Sequence, residues 1–149
     1  MQQIEGFHVI EWEESMATGI DIIDKQHHYL IEILQQLNEK QLDDDGDLLL
    51  SRVVRDLLGY ALMHFEAEEA LMLRYDYASA YPEEAKAHIA QHREFSRKVV
   101  SVRDKLREGQ KVSRMEIKGF LNYWLREHLL GIDQSLGKFL LEKMRLETL

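Results

Sequence analysis

The sequence predicts an all-α protein, an antiparallel up-down four-helix bundle with an N-terminal arm. Three observations carry this reading. Four segments repeat apolar residues at alternating steps of three and four. The breaks between them are short, as neighbouring antiparallel helices require. No stretch keeps the period of two that a half-buried strand needs. At 149 residues, 45% apolar and 31% charged with a single proline, the chain suits one helical domain with a substantial core.

The elements follow in order after an arm over residues 1–20. In the first helix Ile23, His27, Leu30, Leu34 and Leu37 share a face, and the acidic run QLDDDGD (41–47) ends it. In the second, Val53, Leu57, Tyr60, His64, Glu68 and Leu71 keep the same period up to the aromatic loop YDYASAYP (75–82). The third runs from about Glu83 to Arg107, with Ala85, His88, His92, Phe95, Val99, Val102 and Leu106 on one stripe, and stops before Gly109. The fourth opens with SRME (113–116), a capping box in which Ser113 and Glu116 satisfy each other's backbone donors. It carries Ile117, Leu121, Trp124 and His128, and is expected to continue uninterrupted through residues 134–149.

Composition excludes several functions. A formal net charge of -8 gives the field the wrong sign for non-specific binding to nucleic acid or to an anionic membrane. With no cysteine there is no disulfide, thiolate chemistry or sulfur-ligated metal, which fits a reducing compartment and a cytoplasmic location. The first fifteen residues, MQQIEGFHVIEWEES, lack the apolar stretch of a signal peptide. No uncharged apolar run approaches the ~20 residues of a membrane span.

The chemistry lies in the polar residues that interrupt the apolar stripes. His27, His64, Glu68, His88, His92 and His128 all do so, and every helix supplies at least one. His28 stands about 100° off the stripe, and His8 lies in the arm. One histidine on an apolar face is usually a hydrogen-bonded core residue. Five imidazoles and a carboxylate buried without partners would each cost about 1–3 kcal/mol, which together rivals the whole stability of a domain, about 5–15 kcal/mol. A metal removes that objection by giving each ligand atom a coordinate bond.

One zinc takes about four ligands, so six candidates on four helices imply two ions. Nitrogen and oxygen donors without sulfur suit iron, manganese, zinc or copper. Carboxylate-rich di-iron bundles use two Glu-x-x-His pairs. Here that pair occurs once, at Glu5–His8 in the arm, so a histidine-rich pair of irons fits better.

The stretches GIDIIDKQHHYLIEIL, HFEAEEALM, HIAQHREF and WLREHLLGID resemble, in order and spacing, the successive signatures of the bacterial hemerythrins, from Trp12 to Asp133. The resemblance implies a non-haem di-iron centre that binds dioxygen reversibly and is not an enzyme. It assigns His88, His92 and His128 to one iron and His27 and His64 to the other. Glu68 and Asp133 would bridge both irons beside a bridging oxo or hydroxo group. Eleven of twelve coordination positions are then filled, and the open one falls on the two-histidine iron. Phe65, Trp124, Leu125 and Leu129 would line a dry dioxygen pocket. Asp133 lies five residues after His128, about 140° around a helix, with Ile132 in the stripe position instead. On one continuous helix this requires metals lying between the two directions, or a π-bulge.

Two roles are open. The continuous fourth helix and the similarity of RLETL (145–149) to the linker before bacterial diguanylate cyclases favour an oxygen or redox sensor feeding a C-terminal signalling domain. The alternative is a free-standing oxygen carrier or store. Nitric oxide is a second candidate ligand for either.

Overall fold

The structure, a computed structural model, describes residues 9–39 and 46–148. The Glu5–His8 pair, most of the acidic run and Leu149 lie outside the described residues. The helices are α1 (Asp21–Asn38), α2 (Gly46–Arg74), α3 (Tyr77–Ala80), α4 (Pro82–Arg107), α5 (Arg114–Leu130) and α6 (Ile132–Glu147). Among the described residues there is no strand. The long helices form the expected bundle: α1 packs on α2 and α5, α2 on α4, and α6 closes against α2, α4 and α5.

Local sequence sets most boundaries. Before α1, Gly19 takes a left-handed φ of 86°, and the Asp24 carboxylate accepts the backbone N–H groups of Thr18 and Gly19 at 2.9 and 3.1 Å. Asp21 and Asp24 place negative charge at the positive end of the helix. α4 begins with Pro82, whose missing N–H has no role in a first turn, followed by Glu83 and Glu84. It ends in a Schellman motif, with Gln110 N–H on the Lys105 carbonyl, Gly109 N–H on the Leu106 carbonyl, and Gly109 at φ 75°. At the start of α5, Ser113 Oγ accepts the Glu116 N–H at 3.1 Å, one half of the expected capping box.

Two expectations need correction. The stretch 75–82 is not all loop. Asp76, at φ 60°, turns the chain into the short helix α3, and Tyr77 is buried. Four residues are too few for any periodicity to reveal a helix. The larger correction is that the fourth helix is interrupted. Gly131 (φ -105°, ψ -95°) leaves helical geometry and ends α5, and α6 starts at Ile132. A Cβ on Gly131 would stand 2.9 Å from the Glu127 carbonyl oxygen, so glycine fits this corner. α6 does not project from the bundle. Its Leu136 and Leu140 are fully buried with Tyr77, Ile20, Ile23, Met72 and Ala85 in a second apolar cluster.

The segment before α1 is also fastened down. Asn122 Oδ1 accepts the Ile10 N–H at 2.9 Å, Arg126 pairs with Glu13 at 2.6 Å, and Gln134 Nε2 donates to the Met16 carbonyl at 3.1 Å. α6 approaches so closely that a Cβ on Gly137 would lie 2.8 Å from Thr18 Cβ. Among the described residues no helix is long and apolar enough to cross a membrane.

Candidate metal centre

The helical period that buries each apolar stripe also buries the polar residues set within it. His27 on α1, His64 and Glu68 on α2, His88 and His92 on α4, and His128 on α5 converge between the main core and the second cluster, each at most 2% exposed. Asp133 joins them at 1% exposure. The break at Gly131 explains why the stripe failed to select it: Asp133 sits in the first turn of α6, and its direction follows that helix rather than α5. The required turn is a corner between two helices, not a π-bulge. His28 points outward and stacks on Trp12 with ring centroids 3.8 Å apart.

The two carboxylates divide their oxygens between the same two groups of histidines. Glu68 Oε1 lies 3.2 Å from His88 Nε2, 3.0 Å from His92 Nε2 and 4.0 Å from His128 Nε2. Glu68 Oε2 lies 3.5 Å from His27 Nε2 and 3.3 Å from His64 Nε2. Asp133 Oδ1 lies 3.0 Å from His88 Nε2 and 3.2 Å from His128 Nε2, and its Oδ2 lies 3.1 Å from His27 Nε2. Two donors each about 2.1 Å from one ion and at right angles to each other would lie about 3 Å apart. The separations suit ligands gathered around two cations.

Hydrogen bonding gives an independent test. His27 Nδ1 and Nε2, His64 Nε2, Glu68 Oε2, His88 Nδ1, His128 Nε2 and both Asp133 oxygens are buried without a hydrogen-bond partner. At about 1–3 kcal/mol each, eight such atoms would consume the stability of an ordinary domain, about 5–15 kcal/mol. Most of them point at one another, so a cation between them satisfies several at once. Two overlapping groups could each hold a metal ion: Glu68 with His88, His92 and His128, and Glu68 with His27 and His64. The residues fit a metal centre.

Electrostatics agree. Burial pushes the His27 imidazole down, but the Asp133 and Glu68 carboxylates outweigh it and hold it up at about 10. His88 is likewise pushed down by burial and held up at about 9 by Asp133 and Glu68, and His128 is raised the same way. Burial favours the neutral form of Glu68, yet the surrounding imidazoles, His64 foremost, keep it well below the usual carboxylate range. Burial and the Glu68 charge both push Asp133 up, and His128 and His27 overcome them to hold it down. The carboxylates that raise the proton affinity of these histidines make protons competitors of a metal ion for the same nitrogens.

Three partners that the apolar stripes do not single out hold the outward ring nitrogens. His64 Nδ1 meets Gln26 Oε1 at 2.5 Å, His92 Nδ1 meets Glu69 Oε2 at 2.8 Å, and His128 Nδ1 meets Gln91 Oε1 at 2.7 Å. An N–H held this way leaves Nε2 as the inward lone pair, the tautomer a metal needs.

Phe65, Trp124, Leu125 and Leu129 border a cavity of about 10 Å³. Its titratable neighbours are His27, His64 and His128. Phe65 stacks on His92 at 4.0 Å and Trp124 on His128 at 4.5 Å, which fixes both imidazole planes.

The chain is similar to known proteins over most of its length. A bacteriohemerythrin of Pseudomonas aeruginosa is 32% identical over 122 residues, 82% of this chain and 75% of that protein. One from Stenotrophomonas maltophilia is 32% identical over 127 residues, 85% and 78% of the two chains. A crystal structure of wild-type hemerythrin superposes with a TM-score of 0.78 at 22% identity, covering 89% of this chain and 98% of that one. The family model for the hemerythrin HHE cation binding domain matches residues 18–140. The chain belongs to the hemerythrin family.

Proposed function

We propose that this protein holds two iron ions and binds dioxygen reversibly. The observation that carries the proposal is the division of the two buried carboxylates. Glu68 and Asp133 each offer one oxygen to the group His88, His92 and His128, and the other to the group containing His27. In this reading His27 and His64 would hold one iron and His88, His92 and His128 the other, with Glu68 and Asp133 shared between them beside an oxo or hydroxo group. The irons would supply the electrons that dioxygen takes up on binding and returns on release.

The chain's own residues favour binding over turnover. The cavity beside His27 and His64 is walled by Leu30, Leu34, Leu57, Ala61, Phe65 and their neighbours, none of which can give or take a proton. Such a wall excludes water and leaves no proton donor besides the ligand histidines. Neutral imidazoles also bring less negative charge than a glutamate-rich shell, which disfavours high-valent iron. The site is therefore proposed as a carrier or sensor site rather than an oxidase.

The test is to load the metal-free protein anaerobically with ferrous iron and titrate it with dioxygen. The expected result is two irons and one dioxygen per chain, with the absorption change reversed under argon. Irreversible oxidation on first exposure would overturn reversible binding. A spectrum that responds only to nitric oxide would reassign the ligand.

A sensing role is the second reading, favoured by one observation: Asp133 belongs to α6, while His128 belongs to α5 across the Gly131 corner. A change at the centre that moved the two unequally would turn α6 about that corner, and an output module such as a diguanylate cyclase would be reached through α6. Such coupling needs two arrangements close in energy that the ligand distinguishes. Hydrogen exchange across residues 132–148 in the reduced, oxygenated and oxidised forms decides it. Equal protection in all three leaves the carrier.

A further inference from the structure

The outer partners of the ligand histidines are not alike. Gln26 behind His64 and Gln91 behind His128 are neutral amides, while Glu69 behind His92 is a carboxylate. The outer nitrogens of His27 and His88 have no hydrogen-bond partner. Among the described residues, the five histidines therefore meet one anionic acceptor, two neutral acceptors and none at two positions. The anion stands in the three-histidine group.

Local structure brings this contact about. Glu69 follows Glu68 on α2, and the step of about 100° swings its carboxylate out of the interior to reach His92 on α4 from the solvent side. Its side chain is 37% exposed, against 2% for His92. Among the described residues no lysine or arginine is paired with Glu69, and its ion-pair contact is with His92. The stack of Phe65 on His92 at 4.0 Å holds the ring in the plane that this bond requires.

An amide oxygen and a carboxylate both fix the tautomer, but they act differently on the ring. A hydrogen bond to an ionised acceptor is roughly twice as strong as one between neutral groups. It draws the Nδ1 proton outward, leaves more electron density on Nε2 and raises the basicity of the ligand. A stronger donor stabilises the more positive oxidation state of the ion it binds. We propose that Glu69 is a positioning residue that makes His92 the strongest donor of the centre and lowers the reduction potential of the ion held by His88, His92 and His128. This rests on the di-iron reading above.

The experiment moves the charge without changing side-chain shape. Glu69→Gln removes it, Gln91→Glu places one behind His128 in the same three-histidine group, and the double variant exchanges the two. Iron content is measured first, then the reduction potential and the rate of oxidation in air of the reduced protein. Glu69→Gln is expected to keep two irons, raise the potential and slow air oxidation. Gln91→Glu is expected to lower the potential, and the double variant to return towards the parent value. A merely structural contact would not give opposite shifts that cancel on exchange. Should Glu69→Gln lose iron, Gln91→Glu alone still tests the inference, because it adds a charge while removing no contact to His92. Two irons with unchanged potentials in all three variants would overturn the role of Glu69. A parent protein that takes up no pair of irons would instead overturn the di-iron reading.

Discussion

The polar centre lies between two apolar regions that differ in what they leave open. On one side is the main core, contributed by α1, α2, α4 and α5, and it stops short of filling the space beside His27, His64 and His128. On the other side, Leu136, Leu140, Tyr77, Ile20, Ile23, Met72 and Ala85 close over the centre from α6, α3, the end of α2 and the starts of α1 and α4. Both regions are apolar and well buried, yet they do different work. The first leaves a small, mostly apolar gap bordered by His27, His64 and His128. The second places a carboxylate, Asp133, where the stripe of α5 could not deliver one. An apolar gap and a buried carboxylate thus stand on different faces of the same centre.

The largest effect should come from breaking what the two faces share. Glu68→Ala removes both oxygens that reach both histidine groups, and elemental analysis should show loss of both irons. Retention of two irons would mean that Glu68 is a neighbour rather than a bridge.

The comparison sharpens when each face is altered separately. Ala61 lines the cavity and is buried, so Ala61→Leu should lower dioxygen affinity while keeping two irons, with about 1–3 kcal/mol lost to overpacking. Leu140→Ala on the opposite face should cost about 2–5 kcal/mol of stability and leave dioxygen affinity near the parent value. Thermal unfolding and oxygen titration of the two variants separate these outcomes. Equal loss of affinity in both would break the assignment.

A smaller effect tests how firmly α6 is held. Glycine inside a helix normally gains about 1 kcal/mol on replacement by alanine. Exposed Gly59, with no atom within 4 Å of where a Cβ would stand, should behave that way. Gly137→Ala should instead lower the melting temperature, because the new methyl would meet Thr18 Cβ at 2.8 Å. The smallest effect is expected at His28, which is exposed and stacked on Trp12. His28→Ala should leave the iron spectrum unchanged.

The legibility of the site follows the same division. His27, His64, Glu68, His88, His92 and His128 can be read directly, since each interrupts an apolar stripe of one regular helix. Asp133 cannot, because periodicity carries no information across the corner at Gly131. A glycine just ahead of an apparent register error is the one signal of that corner. Gln26, Glu69 and Gln91 are hidden for another reason. Each is the sequence neighbour of a ligand, yet each serves a ligand on a different helix. Only the packed bundle shows that crossing. Tyr77 is hidden in a helix of four residues, too short to display a period.

Glu68 and Asp133 are proposed to bridge two ions, one in each histidine group. Anomalous diffraction at the iron edge from crystals of the iron-loaded protein tests it most directly. The account predicts two iron peaks per chain, one beside His27 and His64, the other beside His88, His92 and His128, with both carboxylates between them. A single peak, or two peaks with Asp133 turned away from both, would contradict it.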